Sequence, residues 1–263
     1  MPEYQEIYLP DSKLTGRFMK KGSGDPIVYL HGVFGARIWS PFLEDLSKSY
    51  TVYAPLQPGF EDLNGLDQLD DVIDLGLYYL DLIDTLKLSQ VKLIGHFLGG
   101  MASLEIASLC SHNIEKIVVI SPLGFWKEDV PIQDIFIMNE EEQIDSIWHD
   151  KNHSSVQYLF PDKESEIEKS NRVAEQQNDF IGAAKFLWPI PDRGLNRRIY
   201  RIKNPVLLVW GEYDGIISPV YAEEFSNRLK KCKKVILSNS GHLPMLDQPK
   251  ILSKHVLDFF NAS

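Results

Sequence analysis

Cysteine is scarce in this sequence. Cys110 and Cys232 are the two thiols in 263 residues, and two isolated cysteines make neither a disulfide framework nor a zinc site. Both are expected as free thiols in a reducing compartment. Positive charge is also short: 27 Lys and Arg stand against 37 Asp and Glu, a formal charge of −10. A surface of that sign repels phosphate, which argues against nonspecific binding to nucleic acid or to an anionic membrane. Long apolar runs are missing. No stretch approaches the roughly 20 residues that cross a bilayer. The opening "MPEYQEIYLP" has neither the basic nor the apolar region of a signal peptide. No metal, nucleotide or flavin motif is present, so no cofactor is expected. These absences leave a cytoplasmic protein with a small-molecule partner, no nucleic acid and no membrane. Oligomeric state is not legible.

The remaining composition is ordinary for a globular chain, with 44% hydrophobic and 24% charged residues. Segments of strand and helix character alternate. "EYQEIYLP" and "KLTGRFMKKG" read as a hairpin, and "PIVYLHG" as a buried strand ending in glycine. "SPFLEDLSKS" is an amphipathic helix with Ser40 as N-cap. "TVYAPLQPGF" is a strand stopped by Pro55 and Pro58. A long helix in "LDDVIDLGLYYLDLIDTLKL" leads to the strand "VKLIGH", the helix "GGMASLEIASLCSH" and the strand "IEKIVVIS". From Pro122 to Pro191 the rhythm breaks into a polar, aromatic-rich, weakly helical segment. It resumes with "NPVLLVWGEYD", "SPVYAEEFSNRLKK", "KKVILSNSGH" and "PKILSKHVLDFFNA". Such alternation implies βαβ units and a mostly parallel sheet. The interruption is too long for an ordinary loop. The expected division is therefore an α/β core over 1–121 and 192–263, with an inserted helical cap over 122–191.

Four short features could carry chemistry. "LHGVFG" ends a strand, and its glycines let backbone N–H groups face a cleft as an oxyanion hole requires; a plain glycine turn with a structural His31 is the simpler alternative. "GHFLGG" is a strand-to-helix turn in which Gly95, Gly99 and Gly100 permit close approach. "VWGEYDGIISP" sets Asp214 just past a strand end, where a carboxylate can orient an imidazole or merely form a turn. "NSGHLPMLDQP" places His242 in a tight loop before the last helix. His149 and His153 lie four residues apart, yet no carboxylate pattern makes them a metal site.

In this order the four features resemble the α/β-hydrolase fold superfamily over nearly the whole chain outside the cap. "GHxLGG", "WGxxD" and "GHLPMLDQP" carry the resemblance, and the tail looks most like capped esterases and carbon–carbon bond hydrolases. The resemblance implies Asp214 as triad acid and His242 as triad base. It implies Val33 and Leu98 as oxyanion donors, with Phe34 the alternative to Val33. His31, His96, Trp126 and Trp188 are the expected pocket residues, although apolar cap residues such as Trp126, Trp148, Phe160, Phe186 and Trp188 also suit a core.

The departure is Phe97. It stands where the family keeps its nucleophile, and it has no atom that can attack a carbonyl. Ser103, Ser121 and Cys110 do not replace it by position in the sequence. Three readings follow: a hydrolase scaffold for a small, largely apolar carbonyl compound with its nucleophile replaced; an enzyme that uses a His242–Asp214 dyad as general base, of the cofactor-free oxygenase or lyase type; and a ligand-binding pseudo-hydrolase.

Overall fold

The structure, a computed structural model, describes residues 1–190 and 192–262. Its centre is one eight-stranded sheet. The strands are β1 (Tyr4–Leu9), β2 (Leu14–Lys21), β3 (Pro26–Leu30), β4 (Thr51–Leu56), β5 (Val91–His96), β6 (Ile114–Ile120), β7 (Val206–Gly211) and β8 (Cys232–Leu237). Their spatial order is β1-β2-β4-β3-β5-β6-β7-β8. The expected hairpin β1–β2 is antiparallel, and β2 runs antiparallel to β4; from β4 to β8 every pairing is parallel. β5 and β7 are buried at every position; β7 accordingly reads as a continuous apolar run, while β5 is interrupted by Lys92, whose ammonium pairs with Asp25 and Glu115.

Eight helices complete the described fold: α1 (Pro41–Leu46), α2 (Val72–Thr85), α3 (Leu98–Leu109), α4 (Glu140–Ile147), α5 (Glu166–Leu187), α6 (Tyr221–Ser226), α7 (Pro244–Asp247) and α8 (Pro249–Asn261). α2 packs on α3, while α1 packs on α7 and α8. Ser40 caps α1 as expected, its side chain accepting from the Leu43 N–H, and Asp71 caps α2 through Ile73 and Asp74. Inside the sheet-facing α3, Glu105 is fully buried and neutralised by a two-pronged bond to Arg198, both contacts at 2.7 Å. No helix among the described residues is long and apolar enough to cross a membrane.

Two local expectations need correction. Pro55 does not stop its strand; it lies within β4 opposite Phe18 of β2. β3 accompanies β4 only as far as Tyr53, so beyond that point β4 has a free side where a missing N–H is tolerated. The segment between β6 and β7 is also more helical than its composition suggests. α5 runs for 22 residues and opens on a full capping box, in which Ser165 and Glu168 satisfy each other's backbone N–H groups. The Ser-x-x-Glu spacing carried that signal. Pro191, the last residue of the expected cap, lies outside the described residues.

α5 is fastened to the strand-end loops by partly buried polar bonds. The Asp179 carboxylate accepts from Arg37 Nη1 at 2.7 Å and from the Glu61 N–H at 3.1 Å. Burial pushes the Asp179 carboxyl above its usual range, and the Arg37 charge opposes that rise. Asn178 donates to the Glu61 carbonyl at 3.0 Å.

Candidate active site

The C-terminal ends of β3, β5, β7 and β8 converge on one buried cluster. The turn after β5 is its centre. Phe97 has φ 52° and ψ −110°, a conformation that is strained for any residue with a Cβ. Its N–H donates to the Ile120 carbonyl at 3.0 Å, and its carbonyl accepts from Met101 at 3.0 Å and Leu123 at 3.2 Å. Three backbone bonds thus hold the strained residue from β6, from the turn after it and from α3. Close packing explains the glycines around it. A Cβ on Gly99 would lie 2.1 Å from the Leu30 carbonyl oxygen, and one on Gly32 would lie 2.5 Å from His96 Nδ1. The turn His31–Gly35 is therefore pressed directly against the elbow, and the Gly99 N–H donates to the His31 carbonyl at 3.1 Å.

Asp214 and His242 come together as the sequence suggests. His242 Nδ1 lies 3.0 Å from Asp214 Oδ1 and 2.9 Å from Oδ2, with both side chains fully buried. Asp214 Oδ1 also accepts from the Ile216 and Ile217 N–H groups at 3.0 and 2.9 Å, which fixes the carboxylate in place. The Asp214 carboxylate makes Nδ1 the donor and leaves Nε2 as the atom that can exchange a proton. Nε2 is buried and has no hydrogen-bond partner. The imidazole meets the Phe97 ring edge to face, with centroids 5.0 Å apart, and the Phe34 ring at 6.5 Å.

The loop carrying His242 is anchored by residues that the motifs did not reveal. The His242 N–H donates to the Ile147 carbonyl at the end of α4, at 2.7 Å. Asp247 accepts from Ser240 Oγ at 2.8 Å and from the Gly241 N–H at 2.7 Å. Asp247 stands in "GHLPMLDQP", so its type and position were visible, but its partners, the Ser240 hydroxyl and the Gly241 N–H, are located only by the fold.

The other expected residues are distributed as follows. Val33 and Phe34 are buried in the turn beside the elbow, and Leu98 opens α3, where a helix N–H has no intrahelical acceptor. His31 Nδ1 donates to the Gly32 carbonyl at 2.6 Å, and Nε2 accepts from the Gln57 N–H at 3.0 Å. Burial lowers His31 to about 4, against a smaller rise from the Gly32 bond. His96 Nε2 donates to the His242 carbonyl at 3.0 Å; burial, then the neighbouring His242, push His96 well below the ordinary imidazole range. Both rings are thus fixed parts of the framework around His242. Trp188 lies half exposed in an outer groove beside Phe136, separated from His242 by the rings of Phe136, Phe180 and Phe34. Trp126 turns its indole N–H to the exposed carboxylate of Glu128 at 2.9 Å. Trp148, Phe160 and Phe186 are buried among the core residues.

Neighbouring hydroxyls and thiols differ in their engagement. Ser103 Oγ donates to the Gly99 carbonyl. Ser121 is buried just after β6 with its Oγ unpartnered. Cys110 caps the far end of α3. His149 stacks on Tyr213 with centroids 3.7 Å apart, while His153 caps a short turn. Among the described residues no group of three or more His, Cys, Asp or Glu gathers to hold a metal ion.

A family model described as alpha/beta hydrolase fold matches residues 25–249. The chain belongs to the α/β-hydrolase fold family. A carboxylesterase of Bacillus subtilis is 23% identical over 90% of this chain and 79% of its own length. The (E)-2-((N-methylformamido)methylene)succinate hydrolase of Acinetobacter baylyi is 28% identical over 90% of each chain. Among solved structures, naproxen esterase from Bacillus subtilis superimposes with a TM-score of 0.76 at 20% identity, covering 99% of this chain and 92% of that one. Relatives of this α/β-hydrolase are thus esterases and hydrolases.

Proposed function

We propose that this α/β-hydrolase is an esterase or carbon–carbon bond hydrolase scaffold whose nucleophile position holds Phe97. Hydrolysis through an acyl-enzyme is then absent from the chain as it stands. The observation that carries the reading is the buried Asp214–His242 pair, whose Nε2 is unpartnered and whose imidazole packs at a right angle to the ring of Phe97 on a strained strand-to-helix turn. In a working hydrolase the elbow residue gives its proton to the imidazole while its oxygen attacks the carbonyl. Phe97 has neither proton nor oxygen to contribute, and its buried ring fills the adjoining space.

The rest of the proposal extends this reading. The amides of Leu98 and of Val33, or alternatively Phe34, serve as oxyanion donors. Residues 122–191 act as a cap, and the ligand is a small, largely apolar carbonyl compound. The free thiols Cys110 and Cys232 suit a cytoplasmic, reducing setting. Phe97→Ser tests the reading by turnover on a panel of esters and diketones. Activity is expected in that variant and is lost when His242→Ala is added. A folded Phe97→Ser protein that stays inert on the whole panel overturns it.

One observation favours a second reading. His242 already has its Nδ1 held by Asp214 and its Nε2 unpartnered, the state a general base requires without any nucleophile. On that reading the unaltered chain turns over a substrate by proton abstraction, His242→Ala abolishes it, and Phe97→Ala is tolerated. The reverse pattern eliminates it.

A further inference from the structure

We infer that this protein docks on a bilayer rich in anionic lipid, through the face at the N-terminal ends of β7 and β8. The net charge of the chain hides how its charges are arranged. Residues 122–191 hold 14 Asp and Glu against six Lys and Arg, whereas residues 228–234 hold five Lys and Arg and no carboxylate. The acidic set belongs to the His242 end of the sheet, where α4 meets the His242 loop and α5 meets the loops of Arg37 and Glu61. The basic set lies at the other end. Val206 and Cys232, the first residues of β7 and β8, are register partners, and the Val206 N–H donates to the Lys231 carbonyl at 2.8 Å. The six residues of β7 put about 20 Å between the two ends, while charges are screened over about 8 Å at physiological salt. A surface that approaches the starts of β7 and β8 therefore meets positive charge.

Four cations on this face are unused. Glu224 pairs with Arg228 and Glu223 with Lys234. Among the described residues Lys203, Lys230, Lys231 and Lys233 meet no carboxylate in an ion pair, and all four are exposed. The Lys203 ammonium lies against that of Lys230, which pushes it below the usual lysine range. Like charges held together oppose each other, and an anionic partner relieves them. Apolar side chains beside the lysines decide which anion fits. Tyr200 is 60% exposed and Leu109 is 41% exposed. Lys203 Nζ donates to the Tyr200 carbonyl at 3.3 Å, and Arg201 Nε donates to the Ser108 carbonyl at 2.8 Å, so both side chains border the basic face. A nucleic-acid backbone offers nothing to an exposed leucine. A lipid interface takes up tyrosine and leucine while flexible lysine stems carry their charges to the headgroups. Lysine is depleted in protein–protein interfaces, whereas clustered lysine is what an anionic leaflet attracts. Docked this way, the protein turns its acidic end and His242 away from the headgroups.

The test is co-sedimentation of the full chain with phosphatidylcholine vesicles, with and without phosphatidylserine. Binding is expected only where phosphatidylserine is present, and it is expected to disappear at about 0.5 M salt. Lys230→Glu is expected to weaken it about thirtyfold and Tyr200→Ala about fivefold. Lys163→Glu makes the same change in net charge at the acidic end, on an exposed residue, and is expected to leave binding unchanged. Lys233→Glu repeats the test if Lys230→Glu does not fold. No binding to phosphatidylserine vesicles overturns the inference, as does equal binding to both kinds of vesicle. Equal losses in Lys230→Glu and Lys163→Glu overturn it too, because net charge rather than this face would then govern. Fluorescence anisotropy with a labelled single-stranded DNA should show no binding; binding to DNA without binding to vesicles assigns the face to nucleic acid instead. None of these results depends on residue 97.

Discussion

Acid should loosen this fold through His31 before it affects most carboxylates. Burial holds His31 at about 4 in the folded chain, whereas an unfolded histidine titrates near 6.5. Between those values the unfolded chain binds the extra proton and the folded chain does not, so stability falls as pH drops through this window and is fully present above it. The whole gap corresponds to about 3 kcal/mol, of which about 2.5 kcal/mol is lost by roughly pH 4.5. His96 is lowered in the same direction and adds to the loss. The perturbation is His31→Gln, which can accept from the Gln57 N–H and donate to the Gly32 carbonyl but never gains a proton. Urea unfolding of both proteins at about pH 7.5 and about pH 4.5 isolates the His31 share, because every other titration is common to the two. The wild-type chain should lose about 2.5 kcal/mol more than the variant over that interval. Equal losses would refute the claim that burial keeps His31 neutral.

Three further outcomes follow from the packing. Phe97→Ala should destabilise by about 3–5 kcal/mol through the cavity it leaves. Phe97→Gly should be no worse, because relief of the strained backbone, about 1–3 kcal/mol, offsets the usual glycine penalty; chemical unfolding of the pair checks the order, and a clearly weaker glycine variant contradicts the strain. Gly241→Ala would place a Cβ 2.0 Å from the Ile147 carbonyl oxygen, so it should break the His242 N–H bond to α4, seen as loss of slow exchange at that amide in hydrogen-exchange NMR; retained protection argues against that contact. Arg198→Ala leaves the fully buried Glu105 carboxylate unpaired and should cost about 3–5 kcal/mol, with recovery in the double variant Arg198→Met, Glu105→Leu; a near-neutral single change would show that Glu105 finds water instead.

Much of the architecture is legible because its signals are local. Most of the parallel strands are short apolar runs, and Ser40 is an N-cap by residue type. The Gly95–Gly99 spacing marks a strand-to-helix elbow, which the structure confirms in the backbone angles of Phe97. The Asp214–His242 approach was legible from chain order because both residues follow strands of one parallel sheet. What stayed hidden depends on contacts between distant segments. α5 is polar along most of its length, so no apolar stripe announced a 22-residue helix; its stability rests on the Ser165 capping box and on Arg37, Asn178 and Asp179 meeting the loops. Nothing near Gln57 in the chain shows that its side chain is buried without partners. The tryptophans illustrate the same limit: Trp148, in a polar stretch of sequence, is core, while Trp188, beside Phe186 and Leu187, lies half exposed.

The central claim is that residue 97 stands at the nucleophile position of an otherwise assembled Asp214–His242 site. Intact-mass labelling with a fluorophosphonate, run in parallel on the unaltered chain and on Phe97→Ser, tests it most directly. The account predicts one added phosphonyl group on the Ser variant alone, mapped to residue 97 and lost with His242→Ala. Two folded proteins that both remain unlabelled, or a label that maps to another serine, would contradict it.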